Sequence, residues 1–580
     1  MAAITGGVAM VRNKASIVVL PLLFLALLLT TVGGCRQSTE EGLSDWTGSS
    51  KIRTLYGRIK GEASGDEIVV WKGIPYAKAP VDGLRWKAPR DPEPWEGTLE
   101  ADDYGSECTQ YDLFGTVKGS EDCLYLNIWR PDSDEDELPV YFWIHGGGNS
   151  MGAASEKGYD GANLAVNCNM VVVSVNYRLG PLGWFTCEAL RSDEPGTELD
   201  NSGNYGTLDL IKALSWVKDN IAAFGGDPGR VTVAGESAGA INIFSLLISP
   251  QATGLFHGAI AQSGMPIALP VETGEESAEE VILKLLVADG IAATKGAAQA
   301  HLGQMTDDEI NTYLRHKTAS QLLGAYDNTG LGMISFPFIF EDGTVIPEAG
   351  FDALETGEYP NKVPMIIGSN KEETKIFLYM ASLFSEDLFD DNDDLYQKVA
   401  SVTSDLWKVN GVDEMARMLT SRGDQPAVYA YQFLWGAADA SGSSVMPSPY
   451  GVKLGACHGM DVPFFFGNWN FFQQMSSWVF TEGNRAGREA LSNDMQTYVA
   501  QFVRTGNPSA DGGLAEWEPW SNAAGGSKCV LLNADLNTAS IAMSTVELTE
   551  ADVMARIDAE VRQVIDSFSG LLPFLVGQGL

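Results

Sequence analysis

Five short apolar runs restrict the fold of this 580-residue chain more than anything else in it. They are "PVYFWI" before His145, "MVVVSV" before Asn176, "RVTVAG" just ahead of Ser237, "GAIAQS" before Gly264 and "VPMIIGS" before Asn370. Predominantly apolar and without sustained alternation, they predict strands buried on both faces, as in a parallel sheet. Helical patterns lie between them. In "TLDLIKALSWVKDNIAAFGG", Leu208, Ile211, Leu214 and Ile221 recur at helical spacing and Gly225 ends the run. Strands alternating with helices predict a doubly wound α/β sheet. Residues 274–330, with "ESAEEVILKLLVADG" and "TDDEINTYL", read as helices off the sheet pattern, as a cap insertion would.

The size fits that architecture. At 45% hydrophobic, the chain can bury a large core. Its 38 basic residues against 76 acidic ones exclude a nucleic-acid role, since phosphate binding needs a basic face. The excess acid reads as a solvated surface.

Residues 1–35 read as an export signal. Arg12 and Lys14 precede an uncharged run, Ala15 to Gly34, then Cys35 and a polar linker, residues 36–50. Met10 is an alternative start. "VGGC" resembles a bacterial lipobox, which would put a lipid on Cys35, although Val32 stands where leucine is usual. An ordinary cleaved signal and an uncleaved anchor are the alternatives. The expected location is a bacterial membrane surface through the lipid, or the periplasm or exterior. With Cys35 lipidated, six of the seven cysteines remain, an even number suited to an oxidising compartment. No two cysteines have C-x-x-C spacing, so a zinc site is not expected.

The chemistry is expected at "RVTVAGESAGA", Arg230 to Ala240. Its "GESAG" fits G-x-S-x-G, in which glycines allow a sharp strand-to-helix turn that thrusts Ser237 out at the positive end of a helix. The strand pattern before it and "INIFSLLI" after it supply the context this motif needs. A second signal is "WIHGGGN", where Gly146, Gly147 and Gly148 directly follow a strand. Their N–H groups, with that of Ala238, can form an oxyanion hole. A serine needs a base. Of five histidines, His145 belongs to the glycine loop, His257 adjoins a buried strand, and His301 and His316 fall in the cap. His458, in "GACHGMDVPFFFG", alone follows the serine at the right distance along the chain for the order serine, acid, histidine. The acid should follow a strand between them, and "NKEET" offers Glu372 and Glu373. Asp461 is read as capping or solvating the turn after His458.

These stretches, with "GIPYAKAP", "EDCLYLNIWRP", "VNYRLGPLGWF", "FGGDPGRVTVAGESAGA" and "FVRTGNP", resemble the type-B carboxylesterases over residues 51–580. That family includes the cholinesterases and the non-catalytic neuroligins. The resemblance implies an α/β-hydrolase fold with a mostly parallel central sheet, flanking helices and helical cap insertions. It implies a triad of Ser237, Glu373 and His458, with the second acid of "KEE" chosen over Glu372. It implies oxyanion donors at Gly147, Gly148 and Ala238, a Cys108–Cys123 disulfide and no cofactor. The implied activity is hydrolysis of carboxylic esters through an acyl-enzyme, which needs no metal. A general enzyme for uncharged esters of short to medium acyl length is expected. The alternatives are a specialised hydrolase of a bulky natural-product or lipid ester and a neuroligin-like binding module, which would lack the nucleophile. Three features depart from the family pattern. His145 opens the glycine loop, as in many bacterial members. The loop from Cys108 to Cys123 is short and holds no tryptophan, and Cys457 directly precedes the histidine with no evident role.

Overall fold

The computed structural model describes residues 46–567 apart from 65–66, 331, 385–388, 390–391, 440 and 471–474. The expected export signal and lipobox, with Cys35, lie outside the described residues.

One twisted sheet carries the fold. Its strands are β1 (Glu62–Ser64), β2 (Ile68–Pro75), β3 (Tyr125–Pro131), β4 (Leu138–Ile144), β5 (Val171–Val175) and β6 (Gly226–Glu236). They continue as β7 (Gly258–Gln262), β8 (Met365–Asn370), β9 (Val428–Phe433), β10 (Cys529–Ala534) and β11 (Ala539–Ser544). The order across the sheet is β11-β10-β9-β8-β7-β6-β4-β5-β3-β2-β1. From β10 to β5 every neighbouring pair is parallel, and antiparallel strands close both sides. The five apolar runs are β4 to β8, the middle of the sheet.

Their lack of alternation has the expected cause. Phe142, Ile144, Val173, Val233 and Ile367 pack into the core on one face. Tyr141, Trp143, Val172, Ala234 and Ile366 pack into the core on the other. The helical reading also holds, since α1 spans Tyr205–Asn220. After one further 3₁₀ turn Gly225 stops the chain with φ 74°. Asp209 on α1 receives Arg178 in a buried, two-pronged ion pair at 2.7 and 2.8 Å, which seats the helix on the loop after β5.

The cap region forms four helices, Val271–Ala288, Lys295–Leu302, Asp307–Arg315 and Ala319–Leu323. Thr306 and Thr318 start the last two with reciprocal capping boxes. They share a separate apolar core with Trp86, Leu182 and Phe185. A hairpin, Asp327–Gly330 with Met333–Ser335, follows them. The packed chain also reaches N-terminal of residue 51, because Trp46 is buried against Trp71 and Arg130.

The disulfide joins Cys108 to Cys123. Cys168, Cys187, Cys457 and Cys529 are free thiols, three of them buried, so among the described residues the even cysteine number does not translate into further bridges. Among these residues no helix is long and apolar enough to cross a membrane.

Candidate active site

The elbow forms because two glycines leave room for it. A Cβ on Gly239 would stand 2.1 Å from the carbonyl oxygen of Ile144, and one on Gly235 would stand 2.8 Å from the same atom. Strand β6 can therefore turn into helix α2 (Ala238–Ile248) against the end of β4. Ser237 takes the strain at φ 57° and ψ −122°. Such a conformation costs about 1–3 kcal/mol and persists where its surroundings over-determine it. Here its N–H donates to the carbonyl of Gln262 on β7 at 2.8 Å. The residue is half-buried and precedes the helix N-terminus.

The glycine loop lies beside it. A Cβ on Gly146 would meet the Glu236 carboxylate and the Ser237 side chain within 2.8 to 3.0 Å. Gly147 has φ 101° and accepts from the N–H groups of Ser150 and Met151. Among the described residues no backbone bond occupies the N–H of Gly147, Gly148 or Ala238. Backbone N–H groups without a backbone acceptor are what an oxyanion hole requires.

The expected base and acid meet at the carboxyl ends of the parallel strands. His458 Nδ1 lies 2.6 Å from Glu373 Oε2. Glu373 is fully buried, and its other oxygen accepts from Ser263 Oγ at 2.5 Å and from the N–H of Asn370 at 2.6 Å. Glu372 turns away. It pairs with Lys375 at 2.6 Å and accepts from the N–H of Ala456 at 3.0 Å. The two neighbouring acids therefore have different partners: Glu373 faces the imidazole, and Glu372 staples its turn to the loop that carries His458.

Of the other histidines, His145 is buried and stacks on Tyr177, with Nδ1 2.8 Å from the Gly146 carbonyl. Burial pushes its pKa down to about 4, so it stays neutral and shapes the loop. His257 Nδ1 accepts from the N–H of Val231 on β6. His316 Nδ1 lies 2.6 Å from the Thr312 carbonyl in the cap.

Several residues of the site are not evident from the motifs. Glu236 brings Oε1 to 3.0 Å from His458 Nε2, an ion-pair distance without hydrogen-bond alignment. In this resting arrangement Nε2 has no hydrogen bond to Ser237, a contact that commonly tightens only with substrate bound. Burial alone would lower the His458 pKa, but Glu236 and Glu373 on either side outweigh it and raise it to about 9. Burial, with Asp461 and Glu373 adding, raises Glu236 to about 7 against the opposing pull of His458. Trp407 and Phe377 pack on the imidazole at 4.7 and 5.2 Å. The Trp407 indole N–H donates to the Ser263 carbonyl at 3.1 Å.

Asp461 corrects the reading of it as a capping or solvated turn residue. It is fully buried, makes no side-chain cap, and accepts from Tyr431 Oη at 2.6 Å and Asn370 Nδ2 at 3.2 Å. Burial pushes its pKa up to about 6. Tyr431 reaches it because Gly368 has no side chain: a Cβ there would lie 2.1 Å from the tyrosine ring. Glu236, Gln262, Gly368 and Tyr431 are register partners across β6 to β9. Glu236, Ser263 and Asn370 thus end or follow adjacent parallel strands, and that position was the available signal for them. Cys457 contributes only its carbonyl, which accepts from Asn370 at 2.7 Å. Among the described residues no cluster of His, Cys, Asp and Glu is arranged to hold a metal ion.

The chain matches the model of the carboxylesterase family over residues 48–387 and 382–545. It is similar to the para-nitrobenzyl esterase of Bacillus subtilis, 34% identical over 79% of this chain and 91% of that protein. It is also similar to carboxylesterase 1E of Rattus norvegicus, 31% identical over 82% of this chain and 89% of the other. Among solved structures, a carboxylesterase of Geobacillus stearothermophilus superposes with a TM-score of 0.67 at 28% identity, covering 88% of this chain and 100% of that one. A PNB esterase superposes at 0.66 with 29% identity and the same coverage.

Proposed function

The chain belongs to the carboxylesterase family and is a serine hydrolase of carboxylic esters, and from that premise we propose how its residues divide the reaction. Ser237 is the nucleophile, His458 the general base and acid, and Glu373 the carboxylate that orients the imidazole. Gly147, Gly148 and Ala238 donate to the oxyanion. The observation that carries this reading is the 2.6 Å contact between His458 Nδ1 and the buried Glu373 carboxylate, beside an elbow that holds Ser237 at φ 57°.

The steps follow from those positions. Nε2 of His458 takes the proton of Ser237 Oγ as the oxygen attacks the ester carbonyl. The carbonyl oxygen becomes an oxyanion against the three N–H groups. When the tetrahedral intermediate collapses, the carbon–alkoxy bond breaks and His458 returns the proton to the departing alcohol. Water then attacks the acyl-serine, giving its proton to His458. The acid leaves, and Ser237 recovers its hydrogen. Glu373 stays ionised and steadies the imidazolium at each stage.

The proposed substrates are uncharged esters of short to medium acyl length. The loop from Cys108 to Cys123 carries Tyr111 and Phe114 but no tryptophan face for a quaternary ammonium. The carboxylate beside His458 Nε2, that of Glu236, already faces the imidazole at 3.0 Å. A panel of esters of varied acyl length and alcohol tests the reading with wild type and Ser237→Ala. Wild type should hydrolyse neutral short and medium esters, and Ser237→Ala should lose about 10⁴-fold or more in kcat. Retained activity in that variant rejects the nucleophile. A more than about tenfold preference for acetylthiocholine over a matched neutral thioester, worth about 1.4 kcal/mol, rejects the substrate class. Turnover confined to bulky or lipid esters would favour a specialised enzyme.

Export with a lipid on Cys35 completes the proposal, supported by the apolar run and "VGGC". Cys35→Ser should move the enzyme from membrane to soluble fractions. A soluble wild type with a mature N-terminus beyond Cys35 would reject the anchor.

A further inference from the structure

The hairpin after the cap helices reaches the glycine loop through Met333. A Cβ on Gly148 would lie 3.3 Å from the Met333 sulfur and 3.8 Å from its Cγ. The thioether therefore covers the Cα of Gly148 directly. The hairpin is seated on both sides of this contact. Gly332, at φ 83°, lies against the carbonyls of Tyr111 and Asp112 in the disulfide loop. Ile334 is buried, with its Cδ1 3.4 Å from where a Cβ on Gly180 would stand. Gly180 in turn donates its N–H to the Asn149 carbonyl at 2.7 Å, next to Gly148. Thr329 Oγ1 donates to the Met333 carbonyl at 3.1 Å. The backbone of Met333 is thus fixed at several points, while its side chain is only half-buried.

We propose that Met333 sets the size limit for the ester substituent lying over the glycine loop. The inference rests on the reading of Gly147 and Gly148 as oxyanion donors. A carbonyl oxygen within hydrogen-bond reach of those N–H groups brings one arm of the ester past the Cα of Gly148, into the space the thioether occupies. Methionine suits a limit that yields gradually, since it is unbranched and has three rotatable bonds. It admits small groups at no cost and larger ones by swinging aside. The cap then influences selectivity through one side chain, although its helices pack into a core of their own.

The test compares wild type, Met333→Ala and Met333→Phe on two series. One series holds the p-nitrophenyl group constant and varies the acyl group from acetyl through butyryl and octanoyl to pivaloyl. The other holds acetate constant and varies the alcohol from methyl to benzyl and tert-butyl. The readout is the ratio of kcat/KM for the bulkiest member to that for the smallest, in which a loss of folded enzyme cancels. In one series Met333→Ala should raise this ratio about tenfold and Met333→Phe should lower it comparably, the size of effect a few methylenes produce in a pocket. Ratios that stay within about twofold in both series, or that move equally in both, overturn the inference. Failure of the underlying reading looks different: Gly147→Ala, whose Cβ would stand 2.3 Å from the Met151 carbonyl oxygen and so must displace that N–H, would then keep wild-type kcat on the smallest ester of each series.

Discussion

Replacing Glu373 by glutamine removes one charge and almost no volume, so its effect can be worked out from the hydrogen bonds alone. Glu373 Oε1 accepts from Ser263 Oγ and from the Asn370 N–H, both donors. In Glu373→Gln these two donors hold the amide oxygen, and the NH₂ group must face His458 Nδ1. An NH₂ there donates, so Nδ1 must present its lone pair and the ring proton moves to Nε2. The nitrogen that should take the proton of Ser237 becomes a donor. Loss of the acid's charge with the wrong tautomer costs about 10⁴ in kcat in a Ser-His-acid arrangement, or about 5.5 kcal/mol of transition-state stabilisation. Glu372→Gln should behave in the opposite way. Its partner Lys375 is 1% exposed and pairs with Glu372 at 2.6 Å. Removing that carboxylate charge strands a buried ammonium at a cost of about 3 kcal/mol. Spread over the unfolding entropy of a chain this size, the loss lowers Tm by about 3 °C. The assay is kcat on a p-nitrophenyl ester together with Tm for both variants. Glu373→Gln should be nearly inactive with Tm close to wild type, and Glu372→Gln should be less stable but active. Similar kcat losses in both variants, or more than about a tenth of wild-type kcat in Glu373→Gln, would refute the reasoning.

Glu236→Gln removes a carboxylate 3.0 Å from His458 Nε2, one of the two that raise the imidazole to about 9. The rise of kcat/KM with pH should move about 1–3 units towards acid in this variant, and an unmoved pH profile would count against the contact. The same charge acts on stability. Because the folded His458 pKa is raised, its contribution is full below the unfolded value of about 6.5 and is lost as pH rises through about 9. Chemical denaturation across that range should therefore show a smaller fall for Glu236→Gln than for wild type. Gly239→Ala puts a methyl group 2.1 Å from the Ile144 carbonyl and must shift the elbow by about 1 Å, enough to cost about 10²-fold in kcat/KM. Gly296→Ala, in a helix with open space at the Cβ position, is the control, and should stabilise by up to about 1 kcal/mol. Comparable activity in the two alanine variants would mean that crowding at the elbow is not what requires glycine.

The central sheet is legible in the sequence, and so are the groups proposed to react. The runs that became β4 to β8 are legible because burial on both faces favours apolar residues at consecutive positions, a constraint written within five or six residues and broken only by a few buried polar groups such as Ser174, Thr232 and Gln262. Ser237 is legible for a similar reason, since the glycines that make room for its turn stand two residues to either side. Chain order then left His458 as base and two neighbouring acids as partners. What the tertiary structure decided is how charges from distant segments meet. Ser263 and Glu373 are 110 residues apart and share a hydrogen bond. Asp461 stands three residues from His458, in a stretch that reads as a polar turn, yet it is fully buried because Tyr431 crosses Gly368 to bond it. Glu236 lies next to the nucleophile in sequence, but only the return of the chain at His458 makes it a partner of the imidazole. Met333 has no motif around it and gains a position over Gly148 only from the seating of its hairpin. Periodicity and turn chemistry act over a few residues and so can be read along the chain. Coulomb forces, burial and steric contact act through space, so their partners exist only once the sheet has brought the ends of its strands together.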